Sequence, residues 1–133
     1  MNMKKSLILA LTILLFFIYH VQVQACSGIP SSGTIIASQS SSCTPYISNL
    51  SLSGASTGAG ITYQWQYSTD GSTFIAISGA TNSTYSATVA SSTFFNCIVT
   101  CTSSGISSTA GTIYLIYYTL ASNTGSPFAC AGF

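Results

Sequence analysis

The chain has 133 residues, 47% of them hydrophobic and 2% charged, with two lysines or arginines, one acidic residue and one histidine. So few charges exclude the multi-lysine or multi-arginine footprint that neutralises phosphates, and with it nucleic acid as a partner. They also leave general acid–base catalysis almost without participants.

The N-terminal segment carries Lys4 and Lys5 ahead of an apolar run over residues 7–18 and ends in Val23-Gln24-Ala25. This is the pattern of a secretory signal over residues 1–25, removed on export. The apolar run is short for a membrane span of about 20 residues, so no span is expected after cleavage. A lipobox would place cysteine at position 26, but Gln24 and Val23 depart from that pattern, and a structural role for Cys26 is the stronger expectation. Both lysines and His20 leave with the signal, so Asp70 is the one charged side chain that remains. The expected location is secreted or cell-surface, without polybasic attraction to membranes.

After residue 25 the alternation is that of strands rather than helices. Residues 34–38 (TIIAS) and 46–53 (YISNLSLS) are the first two expected strands, followed by a loop over 54–60. Residues 61–68 (ITYQWQYS) alternate Ile61, Tyr63, Trp65 and Tyr67 with polar residues, which predicts one buried face. Asp70-Gly71 predicts a hairpin turn, since both residues tolerate positive φ, and residues 73–77 the returning strand. A turn over 79–83 leads to strands at 84–89 and 93–101, the latter with Phe95, Cys97, Val99 and Cys101 on one face and Phe94, Asn96, Ile98 and Thr100 on the other. A loop over 102–108 precedes a last strand at 109–120. Seven strands in roughly 100 residues around one tryptophan predict an all-β, antiparallel sandwich over 26–120. The tail 121–133 has a linker composition.

All five cysteines, Cys26, Cys43, Cys97, Cys101 and Cys130, follow the signal, and an oxidising destination makes disulfides the expectation. Zinc ranks well below that, because no histidine and no CxxC pair accompanies Cys97-x3-Cys101. The odd count predicts one thiol without an internal partner, and Cys130 is the candidate.

Trp65 with Phe95-x-Cys97 is the core signature of an immunoglobulin-like sandwich, with Phe95 in place of the usual corner tyrosine. The phrases CSGIPSSGTI (26–35), LSLSGASTGAGITYQWQYSTDG (50–71), ISGATNSTYSAT (77–88) and TFFNCIVTCTSSG (93–105) resemble the Ig-like repeats of long secreted surface proteins of Bacteroidetes-type bacteria. In such repeats a Cys-x-Gly-x-Pro phrase opens each unit. This chain has it at Cys26 to Pro30 and incompletely at Cys130-Ala131-Gly132, one domain length further on, which implies one repeat followed by the start of another. Aligning Leu50-Ser51-Leu52 with the usual second strand puts Gly54 where the first cysteine of the antibody bridge would stand. Four cysteines allow three pairings. Strand directions favour Cys26 with Cys101 and Cys43 with Cys97.

No catalytic residue, metal ligand set or cofactor is expected. Asp70 sets a turn, and one carboxylate cannot build a calcium cage. Two readings survive: a structural or adhesive repeat whose partners are neighbouring Ig-like repeats, and a polysaccharide- or surface-binding module with Tyr67, Tyr114, Tyr117 and Tyr118 as stacking platform. Three coplanar tyrosines on an open face would favour the second, and buried rings the first. Asn49-Leu50-Ser51 and Asn82-Ser83-Thr84 are read as plain strand and turn residues rather than glycan acceptors.

Overall fold

The computed structural model describes residues 25–119 and Cys130. The expected signal, up to residue 24, and the expected linker, apart from Cys130, lie outside the described residues. Those residues contain nine strands and no helix. The strands are β1 (Thr34–Ala37), β2 (Ser41–Ser42), β3 (Tyr46–Ser53), β4 (Ile61–Ser68), β5 (Ile75–Ala76), β6 (Thr84–Val89), β7 (Thr93–Cys101), β8 (Ile106–Thr109) and β9 (Ile113–Tyr117). They form a three-stranded sheet, β1-β3-β6, and a larger sheet, β2-β9-β7-β4-β5, in which β8 also pairs with β7. Every pairing is antiparallel except β2 with β9.

Period-two alternation sets the core. Tyr46, Ser48 and Leu50 of β3 are buried while Ile47 and Asn49 are exposed, and Ala87 and Val89 of β6 are buried beside them. From the other sheet come Trp65, Phe95, Cys97 and Leu115. Trp65 has no exposed surface, and its ring neighbours Tyr85 with centroids 6.1 Å apart. Its indole Nε1 donates to Asn82 O at 2.9 Å, so the polar edge of the largest core side chain is satisfied. The face expected to be buried along β4 is buried only at its centre: Tyr63 is half-buried and Tyr67 is 36% exposed. Tyr67 is the penultimate residue of the strand.

Three segments depart from the sequence expectation. The first strand stops at Ala37, and the chain crosses to the other sheet to form β2, which sequence missed because Ser-Gln-Ser-Ser carries no apolar alternation. The crossing is held by Ser48, whose buried hydroxyl donates to Gln39 O at 2.6 Å and accepts from Gln39 N at 3.4 Å. The returning strand after Asp70 is only Ile75–Ala76. The last strand is two, β8 starting inside the expected loop, and the break falls at Ala110, whose buried N–H still donates to Cys97 O at 2.8 Å.

The cysteines also require a correction. Cys26 is bonded to Cys101, with Cα atoms 5.6 Å apart, but Cys43 is bonded to Cys130, with Cα atoms 5.8 Å apart. Cys97 is the free thiol, and neither the Cys43–Cys97 bond nor an unpaired Cys130 is present. The physical reason is burial. Cys97 sits in the middle of β7 opposite Trp65 with no exposed surface, whereas Cys43 is exposed ahead of β3. Gly60 makes room for the first bridge: it has φ +80°, and a Cβ there would lie 3.0 Å from Cys26 Sγ and 3.2 Å from Thr102 Oγ1.

Burial pushes the Cys97 thiol up to about 11, so the reactive thiolate is scarce at neutral pH. The folded, oxidised chain is therefore expected to leave a thiol-specific reagent unreacted, and the chain unfolded without reductant to consume one equivalent. Fast labelling of the folded chain at Cys130 would contradict this pairing.

Candidate functional site

The β4–β5 connection is organised by Asp70. Its Oδ1 accepts from the backbone N–H groups of Ser72 and Thr73 and from the Ser68 hydroxyl, each at 2.8 Å. Ser68 is buried, and its oxygen in turn accepts from the backbone N–H of Gly71 at 2.9 Å. The connection is thus a side-chain-built loop rather than the two-residue hairpin expected from Asp-Gly. Gly71, at φ +74°, lets the loop lie on the ring of Phe94: a Cβ at Gly71 would meet three of its carbons at 3.2–3.4 Å.

Phe94 in turn stacks on Tyr114 with centroids 4.2 Å apart and planes 24° from parallel. Phe94 pairs with Tyr114 across β7 and β9 and with Ser68 across β7 and β4, on the side of the sheet opposite Phe95 and the core. This outer face continues through Gln66, opposite Asn96, and Gln64, opposite Ile98. Asn96 is buried although it belongs to the outward parity of β7, and its Oδ1 has no hydrogen-bond partner.

The tyrosines expected to form one platform do not share a face. Tyr67 pairs with Phe95, on the core side of the sheet. Tyr117 packs against the core cluster, and Tyr118 is half-buried just past β9 with its N–H bonded to Ser42 O at 2.9 Å. Tyr114, 43% exposed, lies on the opposite side and has Phe94 as its partner. The signal for Phe94 was available, since alternation places it opposite Phe95. The signal for Asn96 was not, because no spacing reveals a buried amide left unpaired.

Among the described residues no three His, Cys, Asp or Glu side chains come together as a metal site. The described chemistry is that of hydroxyls, amides and rings. Residues 31–116, from just ahead of β1 into β9, match the family described as a domain of unknown function, DUF8696. The chain belongs to this family. The DUF8696 match takes in eight strands whole and all but the last residue of β9, and both disulfides run from inside it to outside it, from Cys101 to Cys26 and from Cys43 to Cys130. No curated protein and no solved structure matches the chain.

Asp70 gives the domain a defined acid dependence. Backbone N–H donation from Thr73, then from Ser72, and the Ser68 hydroxyl hold its carboxyl well below the usual carboxylate range. A carboxyl lowered in the folded state stabilises above its unfolded pKa, and the contribution is lost as pH falls through and below that value. Thermal stability is therefore expected to fall below about pH 4, and Asp70→Asn to flatten that fall, because Asp70 is the only acidic side chain in the sequence. Melting curves from pH 2 to 7 test it, and an acid slope unchanged in the variant would contradict it.

Proposed function

We propose that the chain is an extracellular, non-catalytic Ig-like domain that serves as a structural and adhesive unit of a secreted or cell-surface protein. The strand order supports the Ig-like reading. A first strand that pairs with β3 and then crosses to lie parallel to the last strand, around a tryptophan on β4 facing β7, is the arrangement such a sandwich takes. The observation that carries the functional reading is the pair of disulfides, one fastening each end of the domain to its body. Cross-links of this kind belong to oxidising compartments. A carbohydrate-binding module is the weaker reading, since it asks for coplanar exposed rings and the tyrosines divide between two faces.

The test is the mass of the product secreted by the native host, with peptide mapping before and after reduction. After residue 25 the chain offers trypsin no lysine or arginine, so chymotrypsin is the protease. The expected result is a species larger than this chain, with Cys26 free of lipid. The short peptide after Phe128, containing Cys130, should be released only on reduction. A mature product ending at Phe133 would overturn the reading.

A further inference from the structure

The two disulfides are interleaved: Cys26 bonds to Cys101 across a separation of 75 residues, and Cys43 to Cys130 across 87. Neither loop is nested inside the other. Tension applied at the two ends of the domain, near Cys26 and Cys130, then has three covalent routes that use the bridges. The shortest follows the backbone from Cys26 to Cys43 and crosses to Cys130. The next crosses from Cys26 to Cys101 and follows the backbone from there to Cys130. The longest crosses from Cys26 to Cys101, returns along the backbone to Cys43 and crosses to Cys130, so the stretch holding β3, β4, β5, β6 and β7 with Trp65 and Cys97 joins the same two points as the shorter routes.

We propose that this pairing makes the domain an extension limiter: a covalently clamped bead that yields a short, fixed length under tension, set by the shortest segment between its two cross-linked points. The need for it rests on the reading above, in which the domain is a unit of a surface protein under pull. The length it yields depends only on the bonds. The elements on the shortest route are β1 and β2, held by four residue pairs to β3 and two to β9. They must peel before the limit is reached, and of the three segments drawn apart together 26–43 is the shortest and becomes taut first. At about 3.5 Å per extended residue the ends can separate to only about 60 Å, against about 360 Å for the segment 26–130 without cross-links.

The connectivity makes the two bridges unequal in a way that a merely stabilising pair would not be. Losing Cys26–Cys101 alone leaves the shortest route intact, so the limit stays at about 60 Å. Losing Cys43–Cys130 alone shifts the limit to the route through Cys101 and the segment 101–130, about 100 Å. The limit is therefore set by Cys43–Cys130, and Cys26–Cys101 is the second stop behind it.

Single-molecule force spectroscopy tests this on the full chain held by handles next to residues 26 and 130. The oxidised chain should stop at about 60 Å, Cys101→Ser at the same length, and Cys43→Ser at about 100 Å. Should a variant fail to fold, reductant added to the unsubstituted chain under tension gives the same information. Cleavage of Cys43–Cys130 first adds about 40 Å, and completed reduction brings the total to about 360 Å. An oxidised chain that extends to about 100 Å or beyond, or a Cys43→Ser chain that stops where the unsubstituted chain does, overturns the proposal. The two tests fail separately. A chain that stops at about 60 Å but is secreted as a small product ending at Phe133 keeps the limiter and removes only the reading as a unit of a larger surface protein.

Discussion

Trp65, through its backbone and its indole together, ties both sheets and the connection between them. Its backbone pairs with β7 at Cys97 on one side, while on the other its N–H donates to Ala80 O at 3.0 Å and its carbonyl accepts from Ile77 N at 2.9 Å. Its indole reaches Asn82 O, and Gln64 Nε2 bridges Trp65 O and Ile77 O at 2.9 and 2.8 Å. One residue thus fixes the larger sheet, the connection from β5 to β6 and, through the ring of Tyr85, the smaller sheet. A buried indole must find an acceptor, and here the acceptor is the backbone of the very loop that carries the chain between the sheets.

The rest of the fold is held without ion pairs to lean on, since Asp70 is the one charged side chain after residue 25. Short hydroxyl bonds take the place that salt bridges hold elsewhere. Ser48 holds the strand crossing, Ser68 and Asp70 build the β4–β5 loop, Ser108 Oγ donates to Pro30 O at 2.6 Å, and Tyr63 pins the β3–β4 loop at Ser56 O at 2.7 Å. Each ties an irregular segment to a strand, which is where backbone groups lack ladder partners. The disulfides act at a longer range, on the ends of the domain, by restricting the unfolded chain.

Period-two alternation made most of this legible in advance. β3, β4, β6 and β7 fall where the apolar and polar residues alternate, and the inward face of β7 reads off Phe95, Cys97, Val99 and Cys101. What alternation cannot convey is contact between distant segments. β2 is a polar pair that becomes a strand only because β9 lies beside it. The pairing of Cys43 with Cys130 depends on where Cys130 comes to lie, which no spacing encodes. The tyrosines failed as a platform for a related reason: Tyr114 and Tyr117 are an odd number of positions apart and so fall on opposite faces, while Tyr67 takes the core side.

If the indole and its backbone contacts organise the sandwich, the amides of β4 and β7 should open only with the whole domain. Hydrogen exchange under native conditions measures this residue by residue. The slowest amides are predicted to cluster in Tyr63–Tyr67 and Phe95–Val99, and those of β1 and β5 to exchange much sooner. Exchange around Trp65 and Cys97 as fast as in Thr34–Ala37 would contradict the account.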